Sequence, residues 1–270
     1  MMTLKIKVFL RKKIVMSDIK IFRKISDYQK FRKEIDSSLK IGFVPTMGAL
    51  HSGHAELLKK SVSENDITIL SIYVNPTQFN DPNDFNKYPV TWESDVKLAT
   101  ECAITAIFAP NYEEMYPDKY HYKIIENNFS TKLCGAHRPG HFDGVLTIVM
   151  KLFNVVRPHK AYFGEKDFQQ LTLIKGMVDT FFLSIKIVPV STVREESGLA
   201  KSSRNTRLTF EGKTKASEIY KIIKSAKTSD DAKEKLTSLG FQVDYVEDFN
   251  QRRYVAAFVE GVRLIDNVAI

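Results

Sequence analysis

The sequence is poor in cysteine and has no long apolar run. Its 270 residues include only Cys102 and Cys134, which form no Cys-x-x-Cys pair. This scarcity argues against a disulfide-supported secreted protein, and a reduced cytoplasmic protein is the simplest interpretation. No stretch approaches the roughly 18 uninterrupted apolar residues that a transmembrane helix needs. We therefore expect no membrane partner.

The first residues lack the apolar core of a secretory signal. The opening "MMTLKIKVFLRKKIVMS" is interrupted by Lys5, Lys7 and the basic cluster at 11–13. We interpret residues 1–16 as an N-terminal extension. It is either a disordered tail or the product of an upstream start codon, with Met16 as the native beginning.

The sequence also lacks blocks of charge of one sign, although its formal net charge is +8. A basic chain is typical of proteins that meet nucleic acid, anionic membranes or small anionic substrates. Because most Lys and Arg residues are scattered, a solvated basic surface explains the charge equally well. The apolar fraction of 43% is high enough to fill a substantial core.

Short apolar runs alternate with segments of helical period between residues 41 and 190. Strands are predicted at 41–46, 67–74, 104–110, 160–164 and 185–190, with helices at 54–64, 92–101, 144–158 and 167–182. Such alternation favours a Rossmann-like α/β fold, in which helices cover both faces of a parallel sheet. We assign residues 17–207 to this predicted nucleotide-binding domain.

The pattern changes after Arg207. A lysine-rich helical stretch and a second helix precede two strand-like segments, "FQVDYVEDF" and "YVAAFVEGVRLIDNVAI". About sixty residues form only a marginal independent core. We therefore predict that residues 208–270 are a small C-terminal α+β lid domain that docks against the first.

Three polar stretches follow predicted strands: "TMGALHSGH", "NPTQFND" and "GEKDFQQ". In open parallel sheets, ligands bind where the carboxyl ends of strands meet loops and helix N-termini. Polar turns are common, but three in succession that carry amides, basic groups or glycines favour a shared site.

His51 and His54 are three residues apart at the predicted start of a helix. One interpretation is a phosphate site, since the helix N-terminus and the imidazoles can both donate hydrogen bonds. A structural histidine pair is the second interpretation. Zinc is the third, with His137 and His141 as further candidate ligands, although no compact set of Cys, Asp or Glu completes the site.

The loop "REESGLAKSSRNTRL" concentrates donors in four residues, Lys201 to Arg204, and Gly198 allows it to bend. Such a loop can wrap a triphosphate. Alone it is a weak signal, because basic and small polar residues are common in surface loops, but its combination with His-x-Gly-His is far more specific.

Together these motifs resemble the pantoate–β-alanine ligases (pantothenate synthetases). This family belongs to the nucleotidyltransferases that share HIGH and KMSKS motifs with class I aminoacyl-tRNA synthetases. The resemblance rests on "VPTMGALHSGH", "VNPTQF", "RPGHFDGV", "FGEKDFQQL" and "GLAKSSRN", and it returns at "RLIDN". It implies that ATP and (R)-pantoate form a pantoyl adenylate, which β-alanine attacks to give pantothenate and AMP.

The resemblance also implies roles for individual residues. The implied catalytic residues are His54, usually assigned as general acid, with His51, Lys166 and Arg204. Gln78 and Gln170 would bind pantoate, and Gln78 would also lie near β-alanine. Arg138 and His141 match a motif at the rim of the site. The implied ATP-binding residues are Met47, Gly48, Ala49, Leu50, His51, Ser52, Gly53, His54, Gly164, Glu165, Lys166, Asp167, Val193, Lys201, Ser202, Ser203 and Arg204.

Mg²⁺ is expected with ATP, and a cytoplasmic homodimer is expected from the family. Asp95 matches an acidic position linked to the metal, but Ser94 beside it is not acidic, so the metal ligands stay unassigned. Two departures stand out. Lys201 replaces the family's usual Met or Leu, and the segment after Arg207 looks shorter than the usual second domain.

Two rival functions remain at this stage. A nucleotidyltransferase that acts on a phosphate ester would share the His-x-Gly-His loop but would leave "VNPTQF" and "GEKDFQQ" unexplained. A non-enzymatic RNA-binding protein would explain the charge, yet no aromatic-rich binding motif appears. We therefore expect no nucleic-acid partner.

Overall fold

A computed structural model describes residues 19–270, so the predicted N-terminal extension and the predicted start at Met16 lie outside the described residues. Within the described range, no helix is both long and apolar enough to cross a membrane.

A parallel sheet forms the centre of the molecule. Among the described residues it has six strands in the order β1-β4-β3-β2-β5-β6. β2 and β3 pair along six residues, and β5 pairs on the other side of β2. The strands are β1 (Lys20–Phe22), β2 (Ile41–Thr46), β3 (Ile67–Ile72), β4 (Ala106–Phe108), β5 (Lys160–Gly164) and β6 (Lys186–Val190).

Helices cover both faces of this sheet. They are α1 (Ile25–Glu34), α2 (Ser52–Glu64), α3 (Pro82–Asn86), α4 (Trp92–Glu101), α5 (Tyr112–Met115), α6 (Cys134–His137), α7 (His141–Val156) and α8 (Phe168–Thr180). One apolar core includes α7, α8 and the side chain of Phe43, and the other includes α2, α4 and the side chain of Val44. Adjacent residues of β2 thus enter opposite cores, as the period of a strand requires. The predicted Rossmann-like parallel sheet is confirmed.

The C-terminal part is α+β, as predicted, and its strands form a three-stranded antiparallel sheet. Its elements are α9 (Phe210–Ser225), α10 (Ser229–Ser238), β7 (Gln242–Phe249), β8 (Arg252–Val259) and β9 (Val262–Ala269). It has its own apolar core, while Tyr245 and Tyr254 join the core of the parallel sheet. These contacts agree with the predicted docking, whereas the boundary between residues 207 and 208 stays a prediction.

Some elements differ from the sequence prediction. The pattern did not single out β1 or α1, and β1 has only three residues over which an alternation could show. The last strand-like segment is a hairpin, because Glu260 and Gly261 both have positive φ. A two-residue turn whose residues both have positive φ matches the right-handed twist of the two strands that it joins. α7 begins three residues earlier than predicted, at His141.

Candidate active site

A cavity of about 900 Å³ opens where β2, β3 and β5 end. The chain order reverses between β2 and β5: β2, β3 and β4 extend to one side, and β5 and β6 to the other. Parallel sheets bind ligands at such a switch point. The predicted site residues that line this cavity are Met47, His51, Gly53, His54, Gln78, Gly164, Lys166, Asp167, Gln170, Val193, Lys201, Ser202, Ser203 and Arg204.

Five predicted ATP-binding residues do not line the cavity: Gly48, Ala49, Leu50, Ser52 and Glu165. The reason is clearest in the turn after β2, where Gly48 has a φ of 81°. The carboxylate of Asp95 accepts the N–H groups of Ala49 (3.0 Å) and Leu50 (2.7 Å). Those amides therefore already have a partner, and contacts of the five residues with ATP stay a prediction.

Asp95 anchors this turn, and each of its carboxylate oxygens accepts a backbone N–H. It is buried, and its Oδ1 also accepts the hydroxyl of Thr91 at 3.0 Å. In residues 19–270, no three or more His, Cys, Asp or Glu side chains form a group that could hold a metal ion. His141, a candidate zinc ligand, has both ring nitrogens engaged in hydrogen bonds.

The two histidines of the His-x-Gly-His motif cap α2. Nδ1 of His51 accepts the N–H of Gly53 at 3.1 Å, and Nδ1 of His54 accepts the N–H of His51 at 3.3 Å. A nitrogen that accepts carries no proton, so each neutral ring has its proton on Nε2. The rings lie 4.1 Å apart between centroids. The sequence thus folds both imidazoles into hydrogen-bond donors at a helix N-terminus.

Both imidazoles are neutral at physiological pH. Burial and then the positive charge of Lys166 lower the pKa of His51 to about 4. Burial, His51 and Lys166 lower the pKa of His54 to about 3. The structure therefore favours neutral donors over protonated acids on this side of the cavity.

Lys166 lies in the 3₁₀ turn (Glu165–Asp167) between β5 and α8. Its ammonium is mostly buried and lies 3.6 Å from the carboxylate of Asp167. Lys166, His51 and His54 line the same cavity, and the positive charge of Lys166 helps to lower the pKa of both histidines. One cation and two neutral donors are suited to growing negative charge on a phosphate.

The loop after β3 fixes Gln78, which is buried. Its Oε1 accepts from Asn75 at 3.0 Å, and its Nε2 lies 3.1 Å from Sδ of Met47. Asn75 also donates to the carbonyl of Gly144 at 3.2 Å. A Cβ at Gly144 would lie 2.4 Å from the carbonyl oxygen of Thr77, so only glycine permits this approach.

Arg138 and His141 hold the backbone carbonyl of Gln78. The guanidinium of Arg138 donates to Nε2 of His141 at 3.1 Å, so the ring proton is on Nδ1 and is donated to the carbonyl of Gln78 at 2.7 Å. Burial and then Arg138 lower the pKa of His141 to about 3. His141 is therefore buried and supports Gln78, and it lines the cavity together with Arg138. Their place at the rim of the site stays a prediction.

The loop of residues 194–208 carries further cations that line the cavity. Gly198 has a φ of 93°, which confirms the predicted bend. Arg204 donates to the carboxylate of Asp84 at 3.0 Å, and Arg207 contacts the same carboxylate at 3.2 Å. Lys201 lies 3.2 Å from Glu195. Every one of these cations thus has a carboxylate partner.

The residues that hold these loops were not predicted from the sequence. Arg194 donates two hydrogen bonds to Asp266 on β9, at 2.5 and 2.8 Å, and its guanidinium stacks on Tyr220. Asn267 binds the turn that contains Lys166. The "RLIDN" segment was the available signal, but a sequence does not show which loops a distant strand contacts.

Comparisons with known proteins agree with this geometry. Residues 20–269 match the family model of pantoate-beta-alanine ligase. Pantothenate synthetase of Bdellovibrio bacteriovorus is 60% identical over 250 residues, which are 93% of this chain and 99% of that protein. Pantothenate synthetase of Legionella pneumophila (strain Lens) is 49% identical, with coverage of 92% and 99%.

Solved structures show the same fold. The pantoate-beta-alanine ligase of Francisella tularensis, crystallised with beta-gamma ATP and beta-alanine, matches with a TM-score of 0.89 at 40% identity over 93% of this chain and 97% of its own. Pantothenate synthetase of Thermus thermophilus matches with a TM-score of 0.86 at 35% identity, with coverage of 93% and 99%.

Because the matches cover nearly the full length of these relatives, the C-terminal segment of this chain is not short in comparison with theirs. That expectation was wrong for these proteins. The family model, the relatives and the arrangement of the five motifs around one cavity lead to the same conclusion: the chain belongs to the pantoate–β-alanine ligase family.

Proposed function

We propose that this chain joins (R)-pantoate to β-alanine with ATP, through a pantoyl adenylate. The observation that carries the proposal is that the His-x-Gly-His turn, Gln78 and Lys166 meet in one cavity at the switch point of the sheet. The relatives are pantothenate synthetases, and the Francisella pantoate-beta-alanine ligase was crystallised with beta-gamma ATP and beta-alanine.

The first step needs alignment more than it needs a protein nucleophile. A carboxylate oxygen of pantoate attacks the α-phosphorus, and the bond to the bridging oxygen breaks as pyrophosphate leaves. Negative charge grows on the phosphates during this step. The Nε2–H groups of His51 and His54 and the ammonium of Lys166 are placed to stabilise that charge.

Gln78 and Gln170 are proposed to hold pantoate. Neutral amides orient hydroxyls and a carboxylate without the desolvation cost of a buried ionic clamp. In the second step the amine of β-alanine attacks the acyl carbon, AMP leaves, and the amine loses a proton. Arg138 is the cavity guanidinium with no carboxylate within 4.0 Å in residues 19–270, so it suits the carboxylate of β-alanine.

Mg²⁺ is proposed to enter with ATP. Asp95 is a poor candidate ligand, because hydrogen bonds already occupy three of the roughly four acceptor sites of its carboxylate. The half-exposed carboxylate of Asp167 lines the cavity and fits a cation held mainly by phosphates and water. When bound, Mg²⁺ would supply further neutralisation of phosphate charge. The homodimer and the cytoplasmic location stay predictions.

Product analysis tests the proposal. With ATP, pantoate and β-alanine present, pantothenate and AMP are expected in equal amounts, together with pyrophosphate. Formation of ADP and phosphate would contradict adenylation. The same assay with pantoate replaced by a phosphate ester tests the rival nucleotidyltransferase, which would consume that ester.

A further inference from the structure

Asn267, on β9 of the C-terminal sheet, reaches the backbone beside Lys166. Its Nδ2 donates to the carbonyl of Glu165 at 3.0 Å and to that of Lys166 at 2.9 Å. Asn267 is only 5% exposed. One buried amide thus uses both of its N–H groups on two successive carbonyls of the turn between β5 and α8.

Neighbouring residues fix the orientation of this amide. Its Oδ1 accepts from the guanidinium of Arg252, which stacks 3.7 Å from the ring centroid of Phe168. A guanidinium can only donate, so Oδ1 and Nδ2 cannot be exchanged. The backbone N–H of Asn267 donates to Asp266, whose carboxylate also holds Arg194. Consecutive residues of β9 therefore hold both cationic segments of the cavity.

The turn that contains Lys166 has little other support. Neither the 3₁₀ turn nor the N-terminus of α8 has a side-chain cap. The ladder between β5 and β6 ends at Gly164, directly before the turn. Asn267 therefore supplies the side-chain hydrogen bonds that hold the backbone of Lys166. A misplacement of about 1 Å can reduce a catalytic rate about 100-fold.

We propose that Asn267 is a positioning residue that sets the place of the Lys166 ammonium during adenylation. This inference rests on the proposed role of Lys166. It assigns to the C-terminal sheet a direct part in the first chemical step, beyond covering the cavity.

A double-mutant cycle tests the coupling. The rate of pantoyl adenylate formation is measured in single turnovers for Asn267→Ala, for Lys166→Ala and for the double variant, together with ATP binding at equilibrium. Asn267→Ala is expected to lower the rate about 10- to 100-fold and to change ATP affinity less than about threefold. In the Lys166→Ala background the same substitution should cost less than about threefold.

Asn65→Ala is the matched control. Asn65 is also 5% exposed, and its Nδ2 also donates twice, to the carbonyl of Ser61 (2.8 Å) and the hydroxyl of Tyr162 (2.7 Å). It lies at the far end of α2 from the histidines. Thermal melting of both variants shows the general loss of stability, and Asn65→Ala is expected to keep most of the adenylation rate.

An equal loss from Asn267→Ala in both backgrounds would overturn the proposal, as would an equal loss from Asn65→Ala. A normal rate for Lys166→Ala would overturn it too, because Asn267 would have no partner to act through. If Asn267→Ala does not fold, Asn267→Asp, which keeps the volume but loses the donors, replaces it in the cycle. Failure of the unaltered enzyme to form any adenylate would instead contradict the proposed function.

Discussion

The two sides of the cavity are built differently. On the histidine side, formed by His51 and His54, the rings are neutral and each Nδ1 is already bonded to the backbone of the α2 cap. On the arginine side, formed by Lys201, Arg204 and Arg207, each cation is paired with a carboxylate. The histidine side is ready to donate, whereas Arg204 and Arg207 must exchange the carboxylate of Asp84 for phosphates.

This difference follows from where each side is attached. The histidine cap begins directly beyond β2, at the centre of the parallel sheet. The arginine side is a loop held by Asp84 of the short helix α3 and, through Arg194, by Asp266 of β9. We infer that the histidine side is preorganised and that the arginine side completes the site when ATP binds.

The largest effect is expected on the histidine side. His54→Ala should lower the adenylation rate about 100- to 1000-fold, because the lost donor acts most strongly as charge develops. ATP affinity should change far less, and Lys166→Ala should behave similarly. Single-turnover rates and equilibrium ATP binding separate the two quantities. His121→Ala, an exposed histidine, is the control. Near-normal turnover of His54→Ala would leave the pair a purely structural role.

The buried neutral histidines should also make stability depend on pH. His141, with a pKa lowered to about 3, takes up a proton on unfolding once the pH falls below its ordinary value of 6.5. Stability is therefore complete above that pH and is lost below it. His141 alone should contribute a loss of about 1 kcal/mol between pH 6.5 and 5.5. Denaturant unfolding should show a smaller loss for His141→Gln. An identical pH dependence would contradict the lowered pKa.

Gln78 and Gln170, the residues of the proposed pantoate site, line the same cavity as the two sides. Gln78→Ala and Gln170→Ala should each raise the KM for pantoate about 10- to 100-fold, since each removes a hydrogen bond to an anionic substrate. Steady-state kinetics at saturating ATP measure this. Gln169→Ala is the matched control: within residues 19–270 the Gln169 amide bonds to backbone groups of Phe129, Lys132 and Cys134, so its loss should mainly reduce stability. A loss of ATP affinity with normal pantoate binding would show that the amides serve the nucleotide.

On the arginine side, Asp84→Asn should strengthen ATP binding about two- to fivefold. The partly exposed ion pairs of Asp84 are worth about 1 kcal/mol or less, and phosphates must displace them. Calorimetric titration at low and high salt measures the change, which should shrink as salt screens the pairs. Weaker binding by Asp84→Asn would show that the carboxylate holds Arg204 in place for ATP.

The smallest effect is expected at Lys201, where the sequence departs from its family. Either a phosphate contact or a solvated ammonium was open from the sequence. Lys201 pairs with Glu195 and is about one-third exposed, so Lys201→Met should change ATP affinity less than about threefold. Affinities of both proteins at low and high salt check this. A larger, salt-sensitive loss would establish the phosphate contact.

Much of the fold could be predicted because the signals were local. Apolar runs and helical periods indicated the main strands and helices, and the positions of the motifs after strands indicated one shared cavity. β1 was not predicted because it has three residues and, among the described residues, pairs with β4, a contact that no local pattern shows. The hairpin of β8 and β9 was predicted as a single strand-like segment because its turn interrupts the apolar pattern for only two residues.

The site was predictable in its motifs but not in its supports. His51, His54, Gln78 and Lys166 stand in recognisable motifs and do line the cavity. Ala49 and Leu50 were expected to line the ATP site, and the sequence did not show that their backbone amides donate to Asp95, which is 46 residues away from Ala49. Asn267 lies 101 residues from Lys166. Such pairings depend on tertiary packing, which no spacing in the sequence reveals.

Exchange of labelled pyrophosphate into ATP tests the central claim most directly, since it reports adenylation without the second step. The account predicts exchange that requires pantoate and proceeds without β-alanine. Addition of β-alanine should then release AMP and pantothenate together. Exchange in the absence of pantoate, or exchange that requires β-alanine, would contradict activation of the pantoate carboxylate in this cavity.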